Sequence, residues 1–207
     1  MSGFLARNWF KLAIILILLA MIASFGYKLW FGGAKTDERL TVMKKAPDFQ
    51  LQDMDGKQIN SADLNGKVKL VYFFYSSCPD VCQPTTFQIS KIQDALKGKG
   101  YLGDKAQILS ITFDPDKDTP SVLKEFSRRF NADPEGWKFL REDEAAVRAL
   151  AEKFGIIVVE DKEGNLTHSN AILLVDGKGD LRNYYSANDP ALDTELIVND
   201  VIALSKE

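Results

Sequence analysis

Two hydrophobic periods alternate along residues 46–207, and one long apolar run precedes them. Residues 68–75 are continuous, apolar and aromatic-rich, and too few for a helix, so they predict a buried strand. Residues 108–113 predict a second central strand and residues 137–140 a shorter one. Between these runs the apolar positions fall at helical spacing: Phe87, Ile89, Ile92 and Leu96, then Val122, Leu123, Phe126 and Phe130, then Val147, Leu150, Ala151 and Phe154. Thr119-Pro120 supplies a cap residue followed by a first-turn proline, which starts the second of these helices. Ahead of them, Pro47-Asp48-Phe49-Gln50-Leu51, the turn Asp53-Met54-Asp55-Gly56 and the returning Gln58-Ile59 predict an opening hairpin. Residues 171–175 and 181–185, joined by Asp176-Gly177-Lys178-Gly179-Asp180, predict a closing hairpin, and residues 192–204 a last helix. Strands alternating with helices imply an α/β sheet covered on both faces.

The N-terminal run has a different character. Residues 9–31 are apolar apart from Lys11, Ser24 and Lys28. As a helix they would reach roughly 34 Å, enough for a hydrocarbon core of about 30 Å. The two lysines lie near the ends, where their stems can snorkel, and Trp9, Tyr27 and Trp30 suit an interface. No small-x-small cleavage pattern follows the run, since Ala20 and Ala23 have the wrong spacing, and no cysteine is there to carry a lipid. An uncleaved single-pass anchor is therefore expected over residues 1–31, then a polar tether over 32–45 and a folded domain over 46–207. Arg7 and Lys11 flank one side of the run, but Lys28, Lys35, Arg39, Lys44 and Lys45 flank the other, so charge does not orient it.

Charge does narrow the partners. The formal charge is −3, and residues 1–31 carry three positive charges and no acids, which leaves −6 on the remainder. An acidic domain without a basic stripe argues against nucleic-acid binding.

Chemistry is concentrated in two cysteines, the only ones in the chain, within Cys78-Pro79-Asp80-Val81-Cys82. They follow the buried strand and precede a helix whose start is marked by Pro84, because a proline is tolerated in a first turn and not in a helix interior. Both sulfurs then face the positive end of a helix dipole, which favours thiolate. A thiolate pair serves either disulfide exchange or soft-metal binding. A purely structural bridge at this spacing would close too short a loop to restrain the unfolded chain much. That chemistry places the domain on the extracytoplasmic side of a cell membrane. The single histidine, His168, stands just before the strand at 171–175. Asp114-Pro115-Asp116-Lys117-Asp118-Thr119-Pro120 has acids in an EF-hand-like register, but lacks the turn glycine and follows a strand. It reads as a strand-to-helix turn with Thr119 as N-cap.

The order of hairpin, strand, cysteine pair, helix, strand, helix, hairpin and helix resembles the thioredoxin fold. In such domains the loop entering the late strand faces the cysteine pair, which would bring His168 to the sulfurs. Two thiolates and an imidazole suit Cu(I), and Cu(II) with an added oxygen ligand, while a structural zinc site would normally supply a fourth protein ligand. Cys78-Pro79-Asp80-Val81-Cys82, Asp114-Pro115…Asp118-Thr119-Pro120 and His168-Ser169 before a strand ending at Asp176 together resemble the Sco/SenC family of copper proteins that serve cytochrome c oxidase assembly. Gln83 departs from that pattern, which has proline directly after the second cysteine. The resemblance implies copper held by Cys78, Cys82 and His168, supplied by a donor protein and passed to the copper-bearing subunit of the oxidase. The alternative is a thiol–disulfide oxidoreductase in which Cys78 and Cys82 are the redox-active pair that keeps oxidase, or other exported, cysteines reduced. A thiol peroxidase would need Thr or Ser three residues before its reactive cysteine and proline seven before it, where this chain has Tyr75 and Val71.

Overall fold

The computed structural model describes residues 2–31, 40–160, 166–189 and 192–207. The chain divides into two compact units, Met1–Glu38 and Arg39–Glu207. In the first, helix α1 runs Ser2–Phe31 and exposes Trp9, Phe10, Met21, Ile22 and the aliphatic residues from Ile14 to Leu19. The longest run of described apolar side chains in α1 is 13–22. Among the described residues, no helix is long and apolar enough to cross a membrane.

The second unit is an eight-stranded mixed sheet, in the order β1-β10-β9-β4-β5-β6-β2-β3. Its strands are β1 Lys44–Lys45, β2 Gln50–Asp53, β3 Gln58–Asn60, β4 Val68–Phe74, β5 Ala106–Thr112, β6 Trp137–Arg141, β9 Ala171–Val175 and β10 Asp180–Ser186. A separate hairpin pairs β7 Val158–Glu160 with β8 Leu166–His168. The helices are α2 Cys82–Gly98, α3 Pro120–Arg129, α4 Glu144–Phe154 and α5 Thr194–Leu204. β4, β5 and β6 are parallel neighbours, so each connection must cross a face of the sheet, and α2 and α3 make those crossings. Every residue of β4 and β5 is buried.

Alternation along β4 divides the core. Leu70, Tyr72 and Phe74 pack with Ile89 and Ile92 of α2, Leu123 and Phe126 of α3, and the apolar face of α5. Val71 and Phe73 point the other way, onto Val147, Leu150 and Phe154 of α4. Period-two alternation in a fully covered strand gives this two-sided burial. The helix starts follow local chemistry: Thr119, Asp143 and Asp193 cap α3, α4 and α5 by accepting backbone N–H groups. α4 ends at Gly155, whose φ of 92° is the left-handed turn that a Cβ disfavours.

Three local expectations change. Residues 40–45, expected in the tether, belong to the folded unit: Leu40 is buried and β1 pairs with β10. The rest of that segment, 32–39, lies outside the described residues. Phe87 is 53% exposed rather than inward. Thr85 and Thr86 occupy the positions one turn before Ile89 and are buried in its place, while Lys91 covers the Phe87 ring at 4.6 Å. His168 ends a strand rather than sitting in a loop, because residues 166–168 pair in register with 158–160.

Candidate functional site

The end of β4 and the start of α2 are joined by residues 75–81, and both cysteines are free thiols. A turn closed by the Cys78 N–H on the Tyr75 carbonyl at 3.2 Å brings Cys78 under the helix mouth. Val81 precedes α2 and offers no side-chain cap. The Cys78 sulfur fills that role, accepting the Cys82 N–H at 3.4 Å. Burial pushes the Cys78 thiol up, but the Cys82 thiol and the N–H groups of Asp80, Cys82 and Val81 outweigh it, and the net shift is downward. This is the electropositive helix start that activates cysteines.

Cys82 is the inner partner, fully buried in the core. Burial first, then the neighbouring Cys78, pushes its thiol up to about 12, against a smaller pull from the Tyr75 backbone N–H. The pair is thus asymmetric, with one thiol eased toward ionisation and the other held back by burial. Beneath them the buried Tyr72 hydroxyl has no partner within hydrogen-bond geometry among the described residues. It nonetheless lies close enough to Cys82 and Thr85 to feel both, and burial raises it well above the ordinary phenol value.

His168 reaches this place from the end of β8. Its Nε2 lies 3.9 Å from Cys82 Sγ, and its Nδ1 lies 3.1 Å from the Ser169 carbonyl oxygen. A carbonyl only accepts, so Nδ1 carries the proton and Nε2 presents its lone pair to the sulfur. Burial lowers the His168 pKa, opposed by that carbonyl, so the ring is kept neutral. The Phe113 ring packs at 4.9 Å and the Tyr75 ring at 6.2 Å, which fixes the imidazole plane.

This donor set fits a soft ion. At lengths typical of zinc, one ion shared by thiolate and imidazole separates the donors by about 3.7 Å in a trigonal arrangement and about 4.3 Å at most. The Cys82–His168 separation of 3.9 Å lies inside that window. A ligating histidine also typically donates its other N–H to a carbonyl, as His168 does to Ser169. Among the described residues, no group of three or more His, Cys, Asp or Glu side chains is gathered tightly enough to hold a metal as it stands. Cys78, Cys82 and His168 are linked pairwise, through Cys82.

The Asp114–Pro120 turn contributes something the sequence reading missed. Asp118 is fully buried, and its carboxylate accepts the Ser76 N–H at 3.0 Å together with the Ser76 and Thr112 hydroxyls. The advance signals were its place in the Asp114-Pro115…Asp118-Thr119-Pro120 motif and directly before the Thr119 cap, neither of which pointed to Ser76. Asp80 and Val81, between the cysteines, line an open hollow of about 550 Å³ with Pro84, Gln88, Asn188 and Leu192. A second cavity, of about 190 Å³, lies at the other end of β4 around Lys69, Phe49 and Phe154, away from the cysteines and His168.

The sequence profile of the SCO1/SenC family matches residues 38–204. A SCO2-like protein of Rickettsia felis is 32% identical over 157 residues, spanning 72% of this chain and 73% of the relative. Among solved structures, BsSco, described with a disulfide switch as a member of the Sco family of cytochrome c oxidase assembly proteins, superposes with a TM-score of 0.70 at 26% identity, over 79% of this chain and 95% of that one. Bradyrhizobium japonicum ScoI with copper bound superposes with a TM-score of 0.64 at 28% identity, over 77% of this chain and 98% of that one. That profile runs almost the length of the folded unit, and the chain therefore belongs to the SCO1/SenC family.

Proposed function

We propose that this chain is a membrane-anchored copper metallochaperone. It would hold copper as cargo on Cys78, Cys82 and His168 and deliver it to the dinuclear copper centre of cytochrome c oxidase. The observation that carries this reading is His168 Nε2 at 3.9 Å from Cys82 Sγ, beside a free thiol pair. Thiolates and imidazole are the soft and borderline ligands copper favours. Copper bound to ScoI, a relative at 28% identity, supports the same cargo here. Anchoring is supported by the apolar composition of residues 9–31 within a helix of 30 residues. The domain would then lie outside the cytoplasm, where the chain meets the oxidase.

The asymmetry of the two sulfurs favours a second activity on the same residues. Cys78 thiolate would attack a target disulfide, releasing one target thiolate and forming a mixed disulfide. Cys82 would then pass its proton to the released target thiolate and attack Cys78 Sγ, releasing the second target thiolate and leaving a Cys78–Cys82 disulfide. Two electrons pass to the target, and metal loading then proceeds on reduced thiols. His168→Ala separates the two activities. The chaperone reading expects loss of oxidase activity at limiting copper, with partial rescue by added copper and intact disulfide exchange. Normal oxidase assembly in that strain, with a defect only on replacing Cys78 or Cys82, would leave the reductase as the function.

A further inference from the structure

We propose that Asp118 is a positioning residue for the cysteine pair, acting through Ser76 to hold the segment that carries Cys78; the copper arm of its test presupposes the site proposed above. Ser76 lies two residues before Cys78, where the chain has left β4 and not yet entered α2. Its backbone N–H lies 3.0 Å from Asp118 Oδ2 and 3.3 Å from Oδ1, and its hydroxyl donates to Oδ1. The same carboxylate accepts the Thr112 hydroxyl at the end of β5.

Asp118 is itself fixed. Its N–H donates to the Asp114 carbonyl at 2.8 Å, the Asp114 N–H donates to Thr112 Oγ1 at 3.1 Å, and the next residue, Thr119, caps α3. The carboxylate therefore joins the β4–α2 connection to a frame made of β5 and the start of α3.

Chemistry says why a carboxylate stands there. Burying one is expensive unless its oxygens are hydrogen-bonded, and for packing alone an apolar side chain of similar volume is often neutral or better. Here both oxygens are used, and two of the three donor groups belong to Ser76. With Ser76 anchored, the turn from Tyr75 to Cys78 starts from a fixed point, and Cys78 Sγ meets the Cys82 N–H. Freeing Ser76 lowers the effective concentration of one sulfur against the other and against a shared ion.

The test uses the full chain, reduced and free of metal, in detergent, with four substitutions: Asp118→Asn, Ser76→Ala, Ser76→Thr and Asp143→Ala. Two properties are read beside the thermal midpoint. One is Cu(I) affinity by competition with bicinchoninate. The other is the dithiol–disulfide equilibrium in glutathione buffer, where one glutathione disulfide takes two electrons and two protons from the pair to give two glutathiones and the Cys78–Cys82 disulfide. Asp118→Asn is expected to weaken Cu(I) at least about tenfold, as loss of outer support for metal ligands does, and to shift the equilibrium at least threefold toward the dithiol. Ser76→Ala is expected to shift both in the same direction, and Ser76→Thr, which keeps the hydroxyl, to restore wild-type values. Asp143→Ala, a lesion in the cap of α4, should lower the midpoint and leave both properties unchanged. Wild-type copper affinity and equilibrium in both Asp118→Asn and Ser76→Ala would overturn the proposal, as would Asp143→Ala shifting both as far as Asp118→Asn does. If Asp118→Asn fails to fold, the Ser76 pair decides alone. If wild-type copper binding proves independent of Cys78 and Cys82, the copper reading fails and the glutathione equilibrium decides this proposal.

Discussion

Replacing Asp176 by alanine would leave the buried Arg182 guanidinium without its nearest carboxylate. Arg182 Nη1 lies 2.6 Å from Asp176 Oδ2, with side chains 6% and 3% exposed. Asp176 Oδ1 also accepts the N–H groups of Lys178 and Asp180, each at 2.9 Å, which shapes the β9–β10 turn. Arg182 in turn donates to the Leu40 carbonyl and to Glu207, so one cluster joins the start of the folded unit, its last hairpin and its C-terminus. Breaking one side of a buried pair costs about 3–5 kcal/mol. Glu207, still bonded to Arg182, keeps the loss toward the lower end. At roughly 2–4 °C per kcal/mol for a domain of this size, the midpoint should fall by about 6–16 °C. Burial works against the Asp176 charge, but the N–H groups of Asp180 and Lys178 and the Arg182 guanidinium hold its carboxyl below the usual range. A depressed folded value means the contribution is fully present above the unfolded carboxylate value of about 3.9 and is lost as pH falls through the folded one. Thermal unfolding of wild type and Asp176→Ala, followed by circular dichroism, should therefore give a constant gap from pH 7 to about pH 5 that closes only in stronger acid. A loss below about 1 kcal/mol at pH 7 would refute the reasoning and remove the cluster as the fastener of residues 40–45.

Other outcomes follow from the same coordinates. Pulse alkylation of the reduced protein should label Cys78 before Cys82 at neutral pH, since hydrogen bonds lower the first thiol and burial raises the second to about 12; equal labelling rates would count against the asymmetry. Phe87→Gln should change stability by no more than about 0.5 kcal/mol, whereas Ile89→Ala should cost about 2–5 kcal/mol, and a comparable loss at Phe87 would return it to the buried face. Alkaline washing should leave the full-length chain in the membrane pellet and external protease should remove the domain from spheroplasts; a soluble fragment starting near residue 24 or full protection would contradict the anchored topology.

The central sheet was legible because its strands are short, continuous and apolar, and because Thr119-Pro120 and Pro84 mark helix starts with little ambiguity. The cysteine pair was legible for the same reason: nothing else explains two thiols at the end of a buried strand. What failed were features fixed by tertiary contact. Lys44–Lys45 carries no strand signal, and its pairing depends on β10 offering an edge. Phe87 looked inward because apolar residues define a helical face in a sequence, whereas in the fold two threonines take the inward positions. Asp118 looked like a turn residue, and its bonds to Ser76, 42 positions away, have no local signature. The approach of His168 was legible only through the resemblance, since a lone histidine before a strand is ordinarily a surface residue.

Copper titration of the reduced, anaerobic chain tests the central claim most directly. The account predicts one copper per domain, a thiolate-to-Cu(II) charge-transfer band in the near-ultraviolet or visible, and loss of both tight binding and band in Cys78→Ser and in Cys82→Ser. Tight binding with an unchanged spectrum in both single variants would contradict it and put the copper site elsewhere in the chain.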